Sequence, residues 1–273
     1  MININKSNCI GCGICIKDCP VRCILVVDEK ADVNNNRCMK CGHCIAICPT
    51  NAVSSDEYDM SDVVEHKKEA FDIEPDRLLN FIKFRRSIRQ FKDKDVEDEK
   101  IKKIIDAGRF TQTSTNSQDV SYIVVKDKKE ELRELVLEGL NDLGNSILSN
   151  LNDENKKFEG YAKSWIKMYQ KHKENPNQKD RIFFDAPVVI LVVSKTPVNG
   201  ALASTNMELM TNTLGLGTFY SGFLVRASQA NNNINAFLGL DNSNSIITAL
   251  VVGYPDVKYQ RTVPRKDAQI AWI

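Results

Sequence analysis

The chain has 273 residues, 42% hydrophobic and 27% charged, and its 37 basic and 36 acidic side chains leave a formal net charge of +1. That balance argues against a nucleic-acid partner, since such proteins carry a marked basic excess, and no apolar run approaches the roughly 18 residues that a membrane span needs. The length suits about two domains.

Eight of the nine cysteines form two runs, Cys9, Cys12, Cys15, Cys19-Pro20 and Cys38, Cys41, Cys44, Cys48-Pro49. Each reads C-x2-C-x2-C-x3-C-P, and the second follows the first at a constant offset of 29 residues. This is the spacing of a bacterial two-cluster ferredoxin, in which the fourth cysteine of each run ligates the other cluster. Thiolates are soft ligands suited to iron–sulfur centres. The expected sets are therefore Cys9, Cys12, Cys15 and Cys48 for one [4Fe–4S] cluster, and Cys38, Cys41, Cys44 and Cys19 for the other. Gly11, Gly13 and Gly42 give the loops freedom to wrap an inorganic core. A zinc site pairs two C-x2-4-C units and has no use for a third cysteine at the next step. Disulfides need an oxidising compartment, and residues 1–8 have no apolar region that would export the chain, so a cytoplasmic location is expected. The ninth cysteine, Cys23, is expected to be a small buried side chain.

Residues 54–74, SSDEYDMSDVVEHKKEAFDIE, are polar and acid-rich, and they place the domain boundary. The expected division is an iron–sulfur domain over 1–57, a linker over 58–74 and a second domain over 75–273. His66 lies among charged neighbours and suits a surface position.

From Pro75 the pattern turns to helices alternating with apolar runs. Pro75 suits a first helical turn, followed by Leu78, Leu79 and Ile82 at helical spacing. A second helix is expected at about Glu97–Ala107, with Gly108 as its stop. Tyr122–Val125, Val188–Val193 and Ile246–Val252 suit buried strands, the last two covered on both faces. Asn199–Leu214 and Ser228–Leu238 suit helices. Asn155–Lys173 is a charged helix with a weak apolar stripe, either packed on the surface or serving as a lid over a site.

Arg85-Arg86-Ser87-Ile88-Arg89-Gln90-Phe91 gathers three guanidinium groups and a hydroxyl. Such forks bind phosphate oxygens bidentately, although a basic run by itself also suits a solvated face. R-R-S-I-R-x-F resembles the opening motif of the FMN-dependent nitroreductase family. Thr113-Ser114-Thr115-Asn116-Ser117-Gln118 is similar to that family's P-S-x-x-N-x-Q loop, with Gln112 in place of the usual Pro and Asp119-Val120 in place of Pro-Trp. Leu214-Gly215-Leu216-Gly217 through Tyr220-Ser221-Gly222 is similar to its L-G-L-G segment. Gly253-Tyr254-Pro255 followed by Pro264-Arg265-Lys266 is similar to its C-terminal signature.

The resemblance covers nearly all of 75–273 and implies FMN contacts from Arg85, Arg86, Ser87, Arg89, Thr113, Asn116, Gln118, Tyr220, Ser221, Gly222, Arg265 and Lys266. It places the backbone near Gly222 at flavin N5 and Arg265 at the phosphate. It implies an α+β fold, a small ferredoxin-like domain followed by a nitroreductase domain with a central, mainly antiparallel sheet. It also implies a homodimer with swapped terminal segments and two FMN sites at the interface, where the Asn-containing loop is able to reach the partner's flavin. No catalytic side chain is required, because the flavin carries the chemistry. The expected function is electron transfer from two [4Fe–4S] clusters through FMN to a small organic acceptor such as a nitroaromatic or quinone, fed by a low-potential donor protein or NAD(P)H. The alternatives are an electron-transfer module serving a protein acceptor, and a redox sensor.

Overall fold

The computed structural model describes residues 1–176, 178–241 and 243–273, which group into two units. The first comprises Met1–Glu74 together with Ser114–Ser117, and the second comprises Pro75–Thr113 and Gln118–Ile273.

In the first unit the elements are β1 (Ile2–Ile4), α1 (Ile14–Asp18), β2 (Ile24–Val27), β3 (Lys30–Val33), α2 (His43–Ala46), β4 (Val53–Ser55) and α3 (Lys68–Phe71). Two short antiparallel pairs hold it, β1 with β4 and β2 with β3. The cysteine repeat is visible as a structural repeat. Helices α1 and α2 follow Gly13 (φ 69°) and Gly42 (φ 76°), each in the left-handed region where a side chain would strain the backbone. The core is small and partly made of the cysteines themselves: Cys9, Cys15, Cys23 and Cys44 are buried with Ile2, Ile24, Ala52 and Val53.

The second unit contains α4 (Pro75–Phe84), α5 (Asp98–Arg109), β5 (Ser121–Val125), α6 (Lys129–Ser149), α7 (Glu159–Glu174), β6 (Val188–Ser194), α8 (Pro197–Thr213), β7 (Gly217–Tyr220), α9 (Gly222–Ala230), α10 (Asn232–Phe237) and β8 (Ser245–Gly253). Its sheet runs β5-β6-β8-β7, with every neighbour antiparallel. The two nearly uniformly apolar runs are the central strands β6 and β8, as expected of strands covered on both faces. Residues of β6 alternate between two cores. Val189, Leu191 and Val193 join Leu132, Val136, Leu140, Trp165 and Leu224 on one face, while Val188, Ile190 and Val192 join Ile104 and Met207 on the other. The sheet is therefore sandwiched between α6, α7 and α9 on one side and α5 and α8 on the other.

Three expectations change. Gly108 is the penultimate residue of α5, which runs on to Arg109; a Cβ there would approach the Tyr122 hydroxyl to 2.6 Å, so the glycine sets how closely the helix approaches the sheet. The helix expected over 228–238 is two helices, broken at Asn231, whose backbone is extended and whose side chain accepts the Asn233 N–H. Residues 129–149, assigned no element from the sequence, form α6 with Leu132, Val136, Leu137 and Leu140 buried. Within α7, Ala162 and Trp165 are buried, which docks this helix on the domain.

Candidate functional site

In the first unit, Cys9, Cys12, Cys15 and Cys48 line one cavity, and Cys19, Cys38, Cys41 and Cys44, together with Cys23, line another. Of the eight cysteines in the two runs, each cavity takes three from one run and the fourth from the other. The β1–β4 pairing underlies this exchange, since it brings the start of the chain beside the strand that follows the second run. Among the described residues, no three His, Cys, Asp or Glu side chains converge as they would on a single ion; the sulfurs surround a space.

Backbone amides converge on the sulfurs. The N–H groups of Ala31, Cys23, Lys40 and Ala52 donate to Cys9, Cys19, Cys38 and Cys48 Sγ at 3.4, 3.4, 3.3 and 3.2 Å. Donors aimed at sulfur favour thiolate over thiol. The Ala31 and Gly11 amides hold the Cys9 thiol below its ordinary range. At Cys48 burial acts upward, but the combined hydrogen bonds from Thr50, Ala52 and Val53 outweigh it. Burial pushes Cys44 up to about 11, a thiol that a bound metal would deprotonate. These observations fit the chemistry of a thiolate-bound cluster. Cys23 is buried beside Cys19, with the sulfurs 3.6 Å apart, and burial pushes its thiol up to about 12.

In the second unit, the segment after α4 lies along the edge strand. Ser87 bridges Thr218 of β7, the Ile88 N–H donates to Thr218 O at 3.0 Å, and Phe91 bridges Pro255. Gly217 makes this possible, because a Cβ there would sit 2.5 Å from Ile88 Cγ1. The Arg85–Arg89 segment is thereby laid beside the strand that leads into Tyr220-Ser221-Gly222. Arg89 stacks over Phe219, 5.1 Å from the ring centre.

Arg85 and Arg86 differ. Arg85 Nη1 is 2.8 Å from Oε1 of Glu208, which is buried on α8. Burial raises the Glu208 carboxyl, and Arg85 opposes that rise. Arg86 turns one Nη toward the Arg85 carbonyl, while its Nε and other Nη are buried with no partner among the described residues. Thr218 Oγ1 is also buried without a partner among the described residues. Orphaned donors next to a cationic run suit an anionic group such as the phosphate of FMN.

The remaining expected residues are placed as follows. The Tyr220 hydroxyl donates to Ser204 O at 2.9 Å. Buried Ser221 caps α9, its Oγ accepting the Leu224 N–H, and Gly222 opens onto free space. Thr113 Oγ1 accepts the Gln118 N–H at 2.9 Å. Asn116, grouped with the first unit, donates its side-chain amide to Met39 O at 3.1 Å and Lys40 O at 3.0 Å. Arg265 and Lys266 are exposed in the segment after β8, where Arg265 donates to Pro264 O.

Two organising residues escaped the sequence reading. Glu208 is the one charged residue of the 17-residue α8, which is itself a signal. Asp119, at a position where the family has proline, accepts from Ser194 Oγ at 2.7 Å and Asn199 Nδ2 at 2.6 Å, tying its loop to the start of α8.

The nitroreductase family model matches residues 82–254, and a 4Fe-4S dicluster domain model matches residues 5–72. A protein named NADPH-dependent oxidoreductase from Staphylococcus haemolyticus is 29% identical over 154 residues, which cover 55% of this chain and 54% of that protein. One of the same name from Staphylococcus aureus is 37% identical over 62 residues, 22% of this chain and 25% of that protein. The chain thus spans about half the length of the first relative and a quarter of the second. An FMN-bound nitroreductase from Bacteroides fragilis shares the fold, with a TM-score of 0.53 at 16% identity over 71% of this chain and 98% of that one. A BluB-like flavoprotein from Clostridium difficile does so at 0.52 and 18%, over 69% and 94%. With cysteine-lined cavities in one unit and this fold in the other, the chain belongs to the nitroreductase family and carries a 4Fe-4S dicluster domain at its N-terminal side.

Proposed function

We propose that this chain carries electrons from two [4Fe–4S] clusters to FMN, which reduces a small organic acceptor such as a nitroaromatic or quinone. Cys9, Cys12, Cys15 and Cys48 hold one cluster, and Cys19, Cys38, Cys41 and Cys44 hold the other, with the amide donors to sulfur favouring the thiolates. Arg85, Arg86, Ser87, Arg89, Thr113, Asn116, Gln118, Tyr220, Ser221, Gly222, Arg265 and Lys266 form the FMN site. Within it the unpartnered Arg86 donors serve the phosphate, and the Ser221-Gly222 backbone serves the flavin ring.

Residues 1–57 act as the iron–sulfur domain, 58–74 as a linker and 75–273 as the flavin domain. A homodimer is supported by α4, which buries none of its residues and exposes Leu78, Leu79, Ile82 and Phe84, and by the exposed C-terminal Trp272. The donor is either a low-potential protein or NADPH, the latter supported by the names of the Staphylococcus relatives. Among the described residues no helix is long and apolar enough to cross a membrane. Cluster thiolates persist in a reducing compartment, which supports the cytoplasm as the location.

The observation that carries this reading is the pair of cavities, each taking three cysteines from one run and the fourth from the other, in a chain of a flavin-dependent family. Anaerobic reduction followed in the flavin band tests it. A chain starting at Glu74 has its own two-sided core and should keep FMN and any reduction by NADPH. It should lose most of the rate obtained with a one-electron, low-potential donor. Equal rates with and without residues 1–73 would remove the clusters from the electron path.

A further inference from the structure

Helix α7 carries Lys163, Lys167 and Lys171 at four-residue intervals, so the three ammonium groups share one face. Gly160 and Ser164 on the same helix are small and leave space beside them. This face, Arg133 and Leu137 of α6, and residues 178–182 line a groove of about 520 Å³. None of its lining residues belongs to the cysteine sets or to the residues assigned to FMN.

The buried Asp180 shapes one wall. Its carboxylate accepts the N–H groups of Ile182 at 2.7 Å and Phe183 at 3.0 Å, which fixes the turn carrying Lys179 and Arg181. Other acids nearby are engaged: Glu130 with Arg133 at 3.0 Å, Glu159 with Lys163 at 2.6 Å, Glu134 with His172 at 3.6 Å and Glu138 with Lys173 at 3.9 Å. Lys167, Lys171, Lys179 and Arg181 have no carboxylate partner among the described residues. Arg133 is held by Pro176 O at 3.1 Å, and its Nε is buried without an acceptor among the described residues. Like charges four apart on a helix repel, and cations gathered in a concave site raise the local concentration of anions. Because the cations stand on three walls and form no single fork, they suit a ligand whose charge is spread over more than one phosphate.

We propose that this groove binds a small molecule bearing two or more phosphate groups. Isothermal titration of the intact FMN-loaded chain at low ionic strength, with inorganic pyrophosphate and separately with adenosine diphosphate, tests the proposal. Saturable binding that weakens as salt rises is expected. The exposed pair Lys167→Gln/Lys171→Gln should weaken it about ten- to a hundredfold, with FMN content and melting temperature unchanged. Lys167→Arg/Lys171→Arg should retain it. Tighter binding of adenosine diphosphate would assign a nucleotide, and equal binding a free diphosphate. No saturable binding of either, affinity indifferent to the glutamine pair, or preference for polyglutamate over both anions would overturn the proposal.

Discussion

Replacing Arg85 with alanine should destabilise the second unit by about 2–3 kcal/mol at neutral pH. The Arg85 guanidinium lies 2.8 Å from the Glu208 carboxylate, with the side chains 25% and 9% exposed. Removing one partner of a fully buried pair costs about 3–5 kcal/mol, because the other charge is stranded in a medium of low polarity. The partial exposure of Arg85 lets water reach the pair and reduces that figure. Adding Glu208→Gln to Arg85→Ala replaces the stranded carboxylate with a neutral amide and should recover about 1–2 kcal/mol. For a unit of this size 1 kcal/mol is about 2–4 °C, so the single variant should melt about 4–12 °C below the parent.

The dependence on pH separates this cause from lost packing. Burial raises the Glu208 carboxyl even with Arg85 present, and losing Arg85 should raise it further. The folded chain then holds that proton more tightly than the unfolded chain does. Stability is therefore fully present below the ordinary carboxylate value and lost as pH rises through the raised one. Arg85→Ala should show that decline, and the double variant should lack it. Anaerobic thermal melts across pH 4–8 of the parent, both single variants and the double variant measure both effects. Equal melting temperatures for Arg85→Ala and the double variant at neutral pH would refute the stranded-charge argument.

Arg86→Gln should weaken FMN retention about ten- to a hundredfold and leave riboflavin, which lacks the phosphate, nearly unaffected; equilibrium dialysis of both flavins checks this. Cys23→Ala should keep the parent iron content, about eight per chain for two four-iron clusters, whereas Cys12→Ala should lose iron. Iron analysis with electron paramagnetic resonance of the reduced protein distinguishes the two. Gly217→Val puts a side chain where Ile88 packs and should cost about 1–3 kcal/mol while loosening FMN, measured by melting and by flavin release.

The β-branched, nearly uniformly apolar runs at 188–193 and 246–252 announced the two central strands, because a strand covered on both faces has few polar positions to display. The short β7 gave no such signal. Its four residues become a strand only through pairing with β8 on one side and support from the Ser87-Ile88 segment on the other. Gly108 looked like a helix stop because local rules ask what a glycine does to the backbone. Here the missing side chain serves Tyr122 and Met207, residues far away in the sequence. Among the arginines, their sequence neighbours could not tell Arg85 from Arg86. Only the packing of α8 decides that Arg85 meets Glu208 while Arg86 keeps buried donors without partners among the described residues.

What the sequence determined by itself was chemistry written at short range: the cysteine spacing, the alternation of helix and strand, and the arginine-rich opening of the second domain. Those signals survive without a fold because a cluster loop, a helical period or a cationic run is set by residues a few positions apart. The tertiary structure decided what depends on long-range approach. The β1–β4 pairing brings Cys48 to the first run's cavity and the β2–β3 pairing brings the end of the first run beside the start of the second, and the Ser194–Asp119–Asn199 contacts tie a loop to a helix 80 residues later in the chain. The groove between α6 and α7 arises in the same way, since Arg133, Lys167 and Arg181 line one space only after those helices pack. Burial, which alone separates a free donor from a satisfied one, is a property of that packing.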